Sequence, residues 1–206
     1  LQMTAKSWDM DENGKFVEAD TGDFVFYPKT VTIPPNSQAV VRAGYTGNFP
    51  AAEKPYRIII DEVPTITPAD KVQNKVGVGL TPVLRLSIPV YVVPEGALPG
   101  IQLELGGLKT DKNSLRVGVK NLTGFHVDLK NVAVKLFKQH APLTEKAVDL
   151  QLKRVLGGRL VYIDLPLDVK KWCAQADEIE VKIDANGLKE PYQTKMPLKA
   201  DCTLAQ

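Results

Sequence analysis

Between Val76 and Val92 the chain reads VGVGLTPVLRLSIPVYV, and every even-numbered position in it (Val76, Val78, Leu80, Pro82, Leu84, Leu86, Ile88, Val90, Val92) is apolar. A period of two is the pattern of a strand with one buried face. Ordinary strands run to about 3–10 residues, so a row of this length extends past the sheet that carries it. Pro82 and Pro89 lack ladder donors, and prolines confine a strand to an edge, a strand start or a bulge. The two prolines differ in parity, which puts their missing donors on opposite edges and predicts a bulge or a change of pairing between them. A long apolar edge strand recruits other chains. Where one persists, lending it to a partner is the expected use; the alternative is a core strand with a bulge.

The chain has 206 residues, 44% hydrophobic and 24% charged, enough for one large or two ordinary domains with a normal core. A net charge of +2, with the basic residues scattered singly, argues against nucleic acid or an anionic membrane as the main partner. No run reaches the roughly 18 apolar residues of a membrane span, so no membrane insertion is expected. The opening LQMTAKSWDM has neither a basic start nor an apolar signal core. Beginning on Leu1 in strand-like alternation, the chain reads as a soluble mature or truncated product whose first strands are absent.

Strand signals recur throughout, punctuated by 15 glycines and 15 prolines, and predict an all-β chain. Strands are expected near 1–9, 14–18, 23–27, 38–45, 55–62, 76–92, 101–105, 114–120, 128–138, 148–153, 159–165, 178–184 and 191–199. The segment 142–153 also reads as a short helix, and DVKKWCAQADE as one helical turn after Pro166. The proline- and glycine-rich stretch from Pro94 to Gly100 divides the chain into a domain over 1–94 and another over 95–206. Six or seven strands in each is the count of an immunoglobulin-like sandwich.

Only two cysteines are present, Cys173 and Cys202, and their midpoint falls beside Asn186-Gly187, a strong hairpin signal. If EIEVKID and PYQTKMPL form that hairpin, the cysteines face each other across its open end, close to bridging distance. A disulfide is expected, with two separate buried thiols as the alternative; a bridge implies an oxidising compartment.

Asp9-Met-Asp11-Glu-Asn13-Gly14, with Asp20 farther on, is similar to the start of a calcium-binding EF-hand loop. Its flanks are strand-like where helices are required, which favours a β-turn. His126 and His140 have no metalloprotease spacing, and neither a nucleophile elbow nor a phosphate loop occurs, so no enzyme, metal or cofactor is expected. Asn121-Leu-Thr123 matches a glycosylation sequon, a short pattern common by chance. A partner strand that ends beside the long strand brings a carboxylate, and Arg suits its capture. Arg57, inside YRIII, and Arg85, on the polar face of the long strand, are the candidates.

Several segments, in order along nearly the whole chain, resemble those of periplasmic pilus-assembly chaperones, the PapD-like family of the chaperone–usher pathway. They are FVFYPKTVTIPPNSQAVVRAG, PYRIIIDEVP, LRLSIPVYVVP, VYIDLPL and VKIDANG. The resemblance implies two immunoglobulin-like domains set at an angle, a periplasmic location, and a non-catalytic function. Such a chaperone lends a strand to pilin or fimbrial subunits that lack their own last strand and delivers them to an outer-membrane usher. Val78, Leu80, Pro82, Leu84, Leu86 and Ile88 would then enter the subunit groove. Arg42, Glu62 and Asp184 match the family's interdomain charge network. The lysine with which the family commonly helps anchor a subunit carboxylate corresponds to Pro89, so Arg57 or Arg85 would replace it, as in a divergent archaic or alternative branch. The free protein has reason to shield its apolar row in a self-capping dimer. The rival expectation is a two-domain structural or adhesive cell-surface module.

Overall fold

The computed structural model describes residues 1–64, 83–98, 100–111, 113–199 and Cys202. It is all-β. The strands are β1 (Gln2–Met10), β2 (Phe16–Asp20), β3 (Phe24–Tyr27), β4 (Arg42–Tyr45), β5 (Lys54–Asp61), β6 (Arg85–Val92), β7 (Leu103–Asp111), β8 (Ser114–Asn121), β9 (Val127–Lys138), β10 (Ala141–Val155), β11 (Leu160–Pro166), β12 (Glu178–Ala185) and β13 (Tyr192–Pro197). One helical turn, α1 (Val169–Trp172), follows Pro166 and is capped by the Asp168 carboxylate, which accepts the Lys171 N–H at 3.0 Å.

Two compact units result, and they are not separated by one cut. The first comprises Leu1–Trp8, Glu18–Pro50 and Lys54–Val93; the second comprises Asp9–Val17, Ala51–Glu53 and Pro94–Gln206. The long linker does begin the main part of the second unit, but two short segments from earlier in the chain belong to that unit as well.

In the second unit, sheets ordered β10-β9-β12-β13 and β11-β8-β7 are antiparallel throughout. Alternate residues are buried: Leu115, Val117 and Val119 on β8, and Ile179, Val181 and Ile183 on β12, are all fully covered. On β9 the register places Val132, Val134 and Leu136 against Ile183, Val181 and Ile179, so the apolar rows of adjacent strands coincide. Each such side chain removed from water contributes about 1.5–3 kcal/mol. The segment 142–153 is strand, not helix. Its ladder with β9 runs from Ala141 to Val155, interrupted between Asp149 and Lys153, where Gln151 and Leu152 take positive φ. A bulge of this kind keeps a long strand in register on both sides of an irregularity.

The hairpin of β12 and β13 is the expected one. Its register (Glu178 with Pro197, Ile183 with Tyr192) is centred on the same point as the two cysteines, and Cys173 and Cys202 form a disulfide with Cα atoms 5.1 Å apart. Gly187 occupies the turn at φ +87°, a conformation that costs glycine nothing.

The first unit holds a four-stranded sheet ordered β2-β1-β5-β6 and a two-stranded sheet of β3 and β4. Its buried side chains are Met3, Ala5, Trp8, Tyr56 and Ile59. Tyr56 anchors an aromatic group with Phe24 and Tyr45, at centroid separations of 5.0 and 5.8 Å, and its hydroxyl donates to Asp23 at 2.5 Å. That bond, with Lys54 at 2.9 Å, holds the Asp23 carboxyl below its ordinary range. Burial, together with the carboxylate, pushes the Tyr56 hydroxyl up.

Candidate strand-pairing edge

The described part of the long strand is β6, which among the described residues lies at the edge of its sheet. Val78, Leu80 and Pro82 lie outside the described residues. The bulge or change of pairing expected between Pro82 and Pro89 is absent from Arg85 onward, where Pro89 stands at a position that needs no donor to β5. From Arg85 to Val92 the pairing with β5 runs without a register shift, Arg85 with Asp61 through Val92 with Lys54.

Parity decides where each side chain and each backbone group goes. On one face of the sheet, register aligns Met3, Ile60 and Leu86 in one row and Ala5, Ile58 and Ile88 in the next. Met3 and Ala5 are buried, whereas Leu86 and Ile88 are each 45% exposed and Leu84 is 53% exposed. The core rows therefore continue onto the edge strand and lose their cover there.

Backbone pairing follows from one bond. Glu62 N–H donates to the Leu84 carbonyl at 2.8 Å, which makes that pair a hydrogen-bonded one; bonded and non-bonded pairs alternate along an antiparallel ladder. Even-numbered residues of β6 thus bond to β5, and the odd-numbered Arg85, Ser87, Pro89 and Tyr91 turn their backbone groups outward. The same phase holds across the sheet, since Met3 N–H, facing away from β5, donates to the Lys29 carbonyl at 3.0 Å. Arg57 stands opposite Pro89, so the proline costs the β5–β6 ladder no bond.

Glu62 also has a role that the sequence did not suggest. Its carboxylate accepts the Leu84 N–H at 2.9 Å, so main chain and side chain together hold the strand where it enters the sheet.

Both candidate anchors already face carboxylates. Arg85 grips Asp61 with two bonds, 2.5 and 3.1 Å, which lower the Asp61 pKa and raise that of the guanidinium. Arg57 lies over the Trp8 ring at 5.0 Å, reaches the Ser87 hydroxyl at 3.2 Å and pairs with Glu18 at 3.3 Å. Of the three residues expected in a charge network, Arg42 is exposed on β4, Glu62 holds Leu84, and Asp184 stands on β12 in register with Asn131. Arg42 and Glu62 share the first unit, and no hydrogen bond or ion pair joins them among the described residues.

The acidic turn is a structural clasp. The Asp11 carboxylate accepts the N–H groups of Asn13 and Lys15, closing the turn. The flanking groups are spent within the second unit: Asp9 on Arg159 by two bonds, Glu12 on Lys109 at 3.0 Å, Asn13 on Arg116 at 2.7 Å. Asp20 stands on a strand and pairs with Lys6. The sequon is a buried turn as well. Asn121 is fully covered, its amide donating to the carbonyls of Phe125, Val155 and Leu156, so the nitrogen that a glycan needs is occupied. The histidines act locally, His126 on the nearly buried Glu53 carboxylate at 2.7 Å and the exposed His140 on Glu178 at 3.5 Å. Among the described residues no cluster of His, Cys, Asp and Glu is arranged to hold a metal ion.

Compared with models of known protein families the chain matches none, and a comparison with curated protein sequences finds no match.

Proposed function

We propose that the protein is a periplasmic chaperone of pilus or fimbrial subunits, with immunoglobulin-like domains, that lends β6 to a subunit lacking a strand and hands it to an outer-membrane usher. The observation that carries this reading is the β6 edge: Leu84, Leu86 and Ile88 extend the core rows of the sheet into solvent while the odd-numbered backbone groups point away from it. A partner that adds a strand there covers the apolar row and satisfies the outward N–H and C=O groups in one act. The ordered resemblance of five segments to the chaperone–usher family names the class of partner, and the disulfide fits an oxidising compartment. A subunit's terminal carboxylate would be captured by exchange with Asp61 on Arg85 or with Glu18 on Arg57.

The test is affinity capture of the full-length protein from its native periplasm, beside a Leu84→Arg, Leu86→Arg variant. A small pilin-like protein recovered at equal stoichiometry with the wild type and lost with the variant is the expected result. Equal recovery with both proteins, or none with either while pili are being made, would sink the reading in favour of a structural or adhesive module.

A further inference from the structure

We propose that Pro89 is the end stop of this edge, setting the register of the partner strand by closing main-chain pairing beyond Ser87; the inference rests on the strand-lending reading above. Two independent observations meet at this residue. The first is the phase of the ladder. Of the outward positions on the exposed part of the strand, Arg85 and Ser87 each carry an N–H and a carbonyl, and Pro89 carries a carbonyl alone. A strand laid along the edge forms complete two-way pairs at Arg85 and Ser87 and only half a pair at Pro89. The second is burial. Every residue from Arg85 to Pro89 is exposed, and from Val90 to Val92 each is half-buried, with the Tyr91 ring 6.3 Å from Trp8 in an edge-on contact. The missing donor therefore stands where the open part of the edge ends.

The partner this fits is an extended segment whose apolar side chains meet Leu84, Leu86 and Ile88 and whose last complete backbone pair lies opposite Ser87. A slip of two residues toward the C-terminus would place a partner carbonyl opposite Pro89 with no donor to meet it. It would also carry an apolar side chain past Ile88 onto the half-buried end of the strand. The residue thus contributes specificity by penalising the wrong register.

Hydrogen exchange resolved to single amides, on the full-length chain free and in its co-purified complex, tests this with a Pro89→Thr variant that supplies the N–H without adding an apolar side chain. In the wild-type complex the Arg85 and Ser87 amides are expected to slow by roughly fivefold or more, as one net hydrogen bond supplies. In the variant the new amide at 89 is expected to slow by a similar factor on going from the free chain to the complex. The Ile88 amide, already bonded to β5, reports that the fold is intact. An amide at 89 that exchanges equally fast in the free variant and in its complex, while Arg85 and Ser87 slow, would overturn the end stop while leaving strand lending in place. If a complex forms and no outward amide of β6 slows, strand lending itself fails, and the free proteins decide: sedimentation velocity showing self-association of the variant but not of the wild type supports the stop, and identical behaviour overturns it.

Discussion

The two compact units are built from the same antiparallel material and differ in how far they cover it. Among the described residues the first unit has 5 buried apolar side chains and the second has 26, while large exposed ones number 11 and 5. In the second unit, register brings the apolar rows of β9 and β12 together and a disulfide ties the end of the β12–β13 hairpin. In the first, the rows of β1 and β5 run out onto β6 and stop in solvent. Among the described residues, then, apolar rows that are covered in one unit reach solvent in the other, and on the strand-lending reading proposed above that is where the partner strand would lie.

The sharpest way to break this comparison is to delete matching volume from each unit. Leu136→Ala, in the filled core, should cost about 2–5 kcal/mol, whereas Leu86→Ala should cost under about 1 kcal/mol because half of that side chain is already in water. Urea unfolding, followed through amides of each unit, measures both; equal costs would mean that the edge row is core. Replacing Cys173 and Cys202 by serine should lower the stability of the second unit by about 2–4 kcal/mol and leave the first unit's amides unaffected. Asn121→Ala should cost the second unit about 1–3 kcal/mol, since the buried carbonyls of Val155 and Leu156 and the part-buried one of Phe125 lose a shared donor.

The smallest expected effect is one of pH. Asp23 in the first unit and Glu178 in the second both have carboxyl pKa values lowered by their partners, Tyr56 with Lys54 and Lys195 respectively. A carboxylate whose folded pKa lies below its unfolded one stabilises fully above the ordinary values, 3.8 and 4.5, and that contribution is lost as pH falls through the folded pKa. Asp23→Asn should therefore flatten the acid dependence of unfolding in the first unit only, as read from urea midpoints between neutral and strongly acidic pH.

Much of the fold was legible in the sequence because alternation is local. The β12–β13 hairpin, the disulfide and the single turn of α1 followed from residues within some thirty positions of one another. The segment 142–153 was ambiguous because its Glu, Lys, Ala, Leu and Gln are good helix formers; the ladder with β9 decides, and that ladder is tertiary. At the edge, parity alone marked Leu84, Leu86 and Ile88. The grip of Glu62 on Leu84 and the pairing of Arg85 with Asp61 depend on a register between segments more than twenty residues apart. The destination of the acidic turn was farther out of reach, since Lys109, Arg116 and Arg159 lie 97, 103 and 150 residues from their partners.

That turn has a consequence for how the chain can be divided. A fragment beginning at Pro94 would contain every strand from β7 to β13 and still be short of its own lining. The Leu156 N–H would lose the Met10 sulfur that accepts it at 3.2 Å, and three basic side chains would lose the acceptors supplied by residues 9–13. The linker looks like a seam but does not behave as one: the protein is not a string of two transferable modules, and a recombination event there would carry off a domain without the first-made piece of its wall.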